Sequence, residues 1–344
     1  MMFRSAAILL CAASAAAFSP MASVRTAAPM KSSSSLNIMT DEVGVIEKIR
    51  QIIISEDYPA ESPEFDAMVK STFPGAISNR ELESKVVEIL ADRGFQGSNT
   101  LLATSLCCDE LARRLEDDLG KVYGQNFFLG GLAGFPFAGN TGFGAMSAHI
   151  PDNGFCLIVQ GPHVGITQDG LVGKVERSGI ALVDSCCGSA IAASNYLKGI
   201  TEGGATVTTK IQNFSDFQQG AVQELILPHG KRLTDAGDDR MRELPYALFE
   251  SQDMLLQDII AGGKGGLKQG TAVLGGIQIN TSPDTLDYFH PLRFDYIDSS
   301  GNVVEDLLPL LTGVAPVTAE YVEEVSKQSE KHDRTVYFVN KDIV

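Results

Sequence analysis

The chain has no run approaching the roughly 18–20 apolar residues that a bilayer-crossing helix requires, so a soluble mature protein without a membrane span is expected. It is also short of positive charge: Lys and Arg number 27 against 43 Asp and Glu, a net charge of -16 at pH 7. That balance excludes general binding to nucleic acid, which needs basic patches to displace counterions. Internal repeats are missing, as is the Cys-x-x-Cys spacing of a thiol redox enzyme. No glycine motif lies between a strand and a helix as a dinucleotide site requires, and no lysine follows one as in a phosphate loop. The first 40 residues contain no acid at all, the first being Asp41.

That last absence has a positive side. Residues 1–17 combine a basic start at Arg4, an apolar centre at Ile8-Leu9-Leu10 and a small-residue end at Ala15-Ala16-Ala17, the pattern of a signal peptide. Residues 18–38 open on Phe18 and carry Arg25, Lys31 and many Ser and Ala without an acid, which is transit-peptide chemistry. The two together resemble the bipartite presequence of diatoms and related algae, and the expected destination is a complex plastid, whether stroma, pyrenoid or thylakoid lumen.

Hydrophobic residues at 44% and charged residues at 20% suit a folded core. A helical preface is expected over residues 39–95, with one helix at 40–54 capped by Thr40 and another from Ser78, where Ser78 and Glu81 form a capping box, to Gly94. From 96 to 330 strands and helices alternate. Strands are read at Leu101–Leu106, Phe155–Val159, Ile180–Val183, Ala272–Asn280 and Tyr288–Ile297, with a hairpin around Asp169-Gly170. Helices are read at Asp109–Leu119, Gly188–Leu197 and near 240–261. This is an α/β fold with a central, at least partly parallel sheet flanked by helices, and ligand chemistry belongs at the carboxyl ends of its strands. The segment from Gly130 to Gly144, rich in glycine and phenylalanine, reads as a tightly folded apolar wall. Residues 331–344 read as a tail.

Five of the six cysteines lie beyond the presequence, an odd number that reads as thiol or metal chemistry, not as a set of bridges. Cys107-Cys108-Asp109 follows the first strand, Gly161-Pro162-His163 follows the second, and Cys186-Cys187-Gly188 precedes a helix. Two thiolates and one imidazole would make a three-ligand zinc site with a fourth position open, the catalytic type. Neighbouring side chains leaving a strand face opposite ways. Cys107 is preferred over Cys108 because it shares a side with Asp109, and Cys187 over Cys186 because it abuts a helix start that favours thiolate.

Three stretches carry a family resemblance. The run 126–151, with Gly-Gly-Leu-Ala-Gly-Phe-Pro-Phe and Thr-Gly-Phe-Gly-Ala-Met, the run Gly161-Pro162-His163-Val164-Gly165, and Cys186-Cys187-Gly188-Ser189-Ala190 resemble the limiting-CO2-inducible (LCIB-like) family. The likeness spans about residues 85–310. It implies a β-carbonic-anhydrase-like fold, zinc held by Cys107, His163 and Cys187, CO2 and bicarbonate as substrate and product, and a homodimer. It also implies an Asp-Arg dyad in which Asp109 is the aspartate. The β-type motif puts arginine where this chain has Leu111, so Arg113 is the first choice for the dyad, Arg177 the second, and Arg114 a solvated helix residue. His149 is a candidate proton shuttle, and Phe135, Phe137 and Phe143 are candidate walls of a CO2 pocket. The rival expectations are a catalytically silent zinc-binding subunit or scaffold of a carbon-concentrating complex, and thiol redox or acyl-transfer chemistry.

Overall fold

The computed structural model describes residues 44–124, 126–203, 214–263 and 266–313. The expected presequence, the Thr40 cap and the expected tail lie outside them. In chain order the helices are α1 (Val45–Ile53), α2 (Pro63–Thr72), α3 (Asn79–Ala91), α4 (Arg113–Tyr123), α5 (Gly139–His149), α6 (Gly188–Gly203), α7 (Phe217–Leu225), α8 (Gly230–Asp235), α9 (Arg240–Gly262) and α10 (Leu308–Thr312). The strands are β1 (Ile77–Ser78), β2 (Thr100–Ser105), β3 (Asn126–Phe128), β4 (Phe155–Gln160), β5 (His163–Gly165), β6 (Lys174–Val175), β7 (Asp184–Ser185), β8 (Gly270–Asn280), β9 (Tyr288–Ile297) and β10 (Val303–Asp306).

Eight strands form one mixed sheet in the order β1-β9-β8-β4-β2-β3, with β10 added on β9 and β5 on β8. The β3-β2-β4-β8 half is parallel, as is β5 on β8, whereas β9 runs antiparallel to β8, β1 and β10. Side chains alternate across the parallel half as a pleated strand requires. Leu102, Leu157, Val159, Ala272 and Leu274 face one core, shared with α1, α3, α4 and α6. Ala103, Ile158 and Val273 face the other, under α5 and α9. In the first core Val45 and Ile49 of α1 meet Leu82, Val86 and Leu90 of α3 and Leu115 and Leu119 of α4. Of the helices before residue 95, α3 packs against β1 and β9 and α1 packs on α3 and α4.

Several expectations need correcting. The apolar run 180–183 is not a strand: Ile180, Leu182 and Val183 are exposed on the tip between β6 and β7. Four apolar residues satisfy a strand pattern without a partner to pair with, and here the partnered residues are Asp184 and Ser185. A helix not expected from the sequence, α2, opens at Pro63, with the Ser62 hydroxyl accepting from Phe65 N; proline lacks only an N–H that the first turn leaves unused. The first helix starts at Val45 after Gly44, and the glycine-rich wall runs into α5, which begins at Gly139. The Ser78 cap forms as read, its hydroxyl accepting from Glu81 N at 3.3 Å. Thr167 N donates to the Leu171 carbonyl across the Asp169-Gly170 turn.

One close approach decides where His163 goes. After β4 the chain crosses at Gly161-Pro162 and resumes as β5 on the same neighbour, β8, with His163 opposite Gln278 and Gly165 opposite Asn280. Gly161 lies so near β8 that an added Cβ would collide with the Gly276 carbonyl oxygen. Gly161→Ala should therefore destabilise the protein by about 1–3 kcal/mol, an overpacking cost, and lower its metal content. Urea denaturation and metal analysis at wild-type levels would show that the crossing tolerates a methyl group.

Candidate metal centre

Cys107 and His163 follow the carboxyl ends of the parallel neighbours β2 and β4, and Cys187, after the separate β6–β7 ladder, meets them there. Cys107 stands two residues past β2, His163 begins β5, and Cys187 lies between β7 and α6. One ligand atom from each of the three falls within 4.8 Å of the others, and all three side chains are buried. The Cys107 and Cys187 sulfurs are 3.8 Å apart. Two thiolates on a tetrahedral zinc ion, each at about 2.3 Å, stand about 3.8 Å apart, so this spacing suits one ion between them. Without a cation, the contact with Cys187 and burial push the Cys107 thiol up to about 12. A divalent metal suits such a pair, because it binds thiolate and displaces the proton.

The imidazole is oriented for the same task. His163 Nδ1 is 2.9 Å from Asn280 Oδ1. The amide end of Asn280 is engaged elsewhere, donating to the Leu111 carbonyl and to Asp287 Oδ2, each at 3.0 Å. Asn280 can therefore only accept from His163, which places the ring proton on Nδ1 and leaves Nε2 with its lone pair free. Nε2 is buried and has no hydrogen-bond partner among the described residues, which is costly unless something else binds it. Asp287 anchors the chain of bonds by also accepting from Thr281 N at 2.9 Å. Its carboxyl is pushed up to about 6 by burial, against the pull of those donors.

Asp109 stands beside the trio, its Oδ2 4.0 Å from His163 Nε2. Its carboxylate caps a short helical turn, accepting from Leu111 N at 3.1 Å. Arg177 clasps the carboxylate with both terminal nitrogens, Nη2 to Oδ2 at 3.0 Å and Nη1 to Oδ1 at 3.2 Å, and also pairs with Glu110. Burial opposes the charge of Asp109, but the Arg177 hydrogen bonds hold its carboxyl down at about 2.

The other sequence candidates are placed as follows. Arg113 does not reach Asp109. It donates to the Cys107 carbonyl, pairs with Glu116 at 3.0 Å and lies 4.8 Å above the Phe128 ring. Asp109 instead accepts from Leu111 N and is clasped by Arg177. Arg114 is not simply solvated, since it pairs at 2.6 Å with the buried Asp118 and covers the Tyr58 ring. Cys186 is buried with its sulfur 3.3 Å from His163 Nδ1, whereas Cys108 is exposed. Phe135 and Phe137 stack with centroids 5.6 Å apart and pack in the core that holds Cys107 and Cys187. Phe143 belongs to the core on the other face of the sheet. His149 is exposed at the end of α5, with Nδ1 2.7 Å from the Ala145 carbonyl and its ring against Phe127, which packs on that same other face.

Asn280, Asp287 and Glu110 were not anticipated. Asn280 had a visible signal, being the last residue of a strand whose carboxyl end lies at the same sheet edge as the ligands. Asp287 and Glu110 had none, because their roles arise from contacts between distant or irregular segments.

The family model for limiting CO2-inducible proteins B/C beta carbonic anhydrases matches residues 76–298, well over half the chain. The crystal structure of PtLCIB4, a homolog of the limiting CO2-inducible protein LCIB, is 43% identical, with a TM-score of 0.65, covering 70% of this chain and 98% of that one. A histidine-to-alanine mutant of the same protein is 42% identical, with a TM-score of 0.67, covering 72% and 99%. The crystal structure of LCIB itself, 20% identical with a TM-score of 0.54 over 68% of this chain and 96% of that one, shares the fold. Among curated proteins none matches.

The hydrogen bond from His163 to Asn280 gives a direct test of the centre. Asn280→Ala should weaken divalent-metal affinity by about 10–100-fold, as loss of a ligand-orienting partner does, measured by competition with a chromogenic chelator. An unchanged affinity would mean that Asn280 does not set the imidazole.

Proposed function

The chain belongs to the family of limiting CO2-inducible proteins B/C beta carbonic anhydrases, and on that premise we propose that it is a zinc-dependent carbonic anhydrase, interconverting CO2 and bicarbonate. The observation that carries this reading is the buried Cys107, His163 and Cys187 trio within 4.8 Å, with a clasped carboxylate at its margin. Cys107, His163 and Cys187 hold the metal, and the donor set of two sulfurs and one nitrogen is typical of zinc. Zinc bound there supplies the Lewis acidity that makes water a nucleophile near neutral pH.

The protein's own side chains do the remainder. Asp109 accepts a hydrogen bond from the attacking water and so fixes the direction of its lone pair, and Arg177 keeps Asp109 ionised and in one rotamer. With both oxygens held by Arg177, Asp109 is less free to swing onto the metal and take the solvent's place. The stacked rings of Phe135 and Phe137 offer an apolar boundary on the Cys107 side, compatible with a small apolar substrate. Because His149 lies against the opposite core, we assign proton release to solvent at the exposed Glu110 side of the site.

The silent-subunit reading was favoured by Leu111 standing where a β-type enzyme has arginine. Arg177 supplies a guanidinium to Asp109 from another part of the chain, which supports the catalytic reading. Thiol catalysis is disfavoured because Cys107, Cys186 and Cys187 are all buried and the Cys107 thiol is pushed up, not down, whereas a reactive thiolate needs access and a lowered pKa. We further propose that residues 1–38 direct the chain to a plastid, that residues 96–330 form the catalytic domain, and that the working unit is a homodimer in a carbon-concentrating pathway.

The mature protein, tested by metal analysis and stopped-flow CO2 hydration, should show zinc and activity together. Cys107→Ala should lose both, and full activity in a zinc-free preparation would falsify the reading. A second comparison separates the arginines: Asp109→Asn and Arg177→Gln should each keep zinc and lower kcat by about 10²–10⁴-fold. Arg113→Gln should leave kcat near wild type, and a loss equal to that of Arg177→Gln would return Arg113 to the dyad.

A further inference from the structure

A cleft of about 500 Å³ opens behind the β6–β7 hairpin, between it, α6 and the start of α9. That is within the range of sites for small molecules. Its lining includes three cations, Lys174, Lys198 and Arg240, against two carboxylates, Glu202 and Asp238, in a chain whose overall charge is -16. A local excess of positive charge is therefore unusual for this protein.

Two of the cations are held by neutral groups. Lys174 Nζ donates to Ser185 Oγ at 3.2 Å. Arg240 Nη2 donates to Asn195 Oδ1 at 3.0 Å, while its Nη1 is buried without a hydrogen-bond partner among the described residues. Lys198 stands 3.8 Å from Glu202, both half-exposed. A buried guanidinium nitrogen without an acceptor is costly, and a carboxylate or phosphate oxygen is the acceptor it matches best. We propose that this cleft is a binding site for a small oxyanion, recognised by Lys174 and Arg240 with the Ser185 hydroxyl, the shared chemistry being that of bicarbonate and phosphate.

The cleft is not the metal centre. A small apolar void adjoins it at Gly173, Ile191 and Met241, and the void's lining includes His163 and Cys187. The wall between the two sites is the hairpin itself: Lys174 pairs with Ser185 across the ladder, Arg177 lies on its turn, and Ser185 leads into Cys186 and Cys187. An anion bridging Lys174 and Arg240 ties this hairpin to α9 and braces Arg177 against Asp109. This last consequence, faster hydration with the cleft filled, rests on the carbonic anhydrase reading. The binding itself does not.

The test is calorimetric titration of the zinc-loaded protein with inorganic phosphate and, separately, with bicarbonate, at matched ionic strength. The expected result is saturable binding of at least one, weakened about tenfold or more in Lys174→Gln/Arg240→Gln, as loss of charge-assisted hydrogen bonds implies, with zinc content unchanged. Binding of phosphate alone or bicarbonate alone identifies the source. Should the double variant fold poorly, Lys198→Glu at an exposed α6 position is expected to weaken the same binding. Absence of saturable binding to either anion, or equal affinity in every variant, overturns the proposal. A protein that binds phosphate through Lys174 and Arg240 yet hydrates no CO2 would refute the proposed activity and leave the cleft standing.

Discussion

The in-register parallel pairing of β2, β4 and β8 is the constraint on which the rest depends. Thr100 pairs with Phe155 and Phe155 with Gly270, and the register holds through Ser105, Gln160 and Gly275. Strands that start together and run together finish together, so the residues that follow them are delivered to one edge. Cys107, His163 and Asn280 meet for that reason, although 173 positions separate the first from the last in the chain. The sheet is enclosed by apolar cores on both faces, and polar groups at its edge are withdrawn from water as a result. Buried groups must then satisfy one another or bind something else.

That requirement explains the division of labour among the polar residues. Asp287, Asn280 and His163 form a directed chain of hydrogen bonds, each donor committed, and the direction ends in a nitrogen lone pair facing the two sulfurs. Asp109 and Arg177 form a separate charged pair next to it. The two arrangements do different work: the first determines which atom is offered to a cation, and the second keeps an acceptor beside it. Their supports differ as well, since Asn280 belongs to a central strand of the sheet and Arg177 to the turn of a small antiparallel ladder outside it.

Much of this arrangement was legible in the sequence, and the reason is periodicity. Runs such as Leu101 to Leu106 and Phe155 to Val159 are apolar on both faces, which marks a strand buried between two helical layers. The cysteine and histidine positions after them followed from strand ends. The choice of Cys107 and Cys187 from their doublets matches the pair of sulfurs that face each other. What was hidden depends on contacts that periodicity does not encode. Arg177 reaches Asp109 across 68 residues of chain, and local spacing favoured Arg113. The Ile180–Val183 run looked like a strand because pattern alone does not reveal whether a partner exists. Phe143 sits in the same aromatic motif as Phe135 and Phe137, yet a helix turn carries it to the opposite core.

The small ladder of β6 and β7 has a further significance. Its tip bears Ile180, Leu182 and Val183 in exposed positions, so nothing in the apolar interior penalises change there. Lengthening or shortening that tip would shift the guanidinium while leaving the sulfur and nitrogen donors in their places. Under the proposed function, variation at such a peripheral loop would alter turnover without touching the residues that would hold the metal. Membership of the fold and rate of reaction would then be set by different parts of the chain.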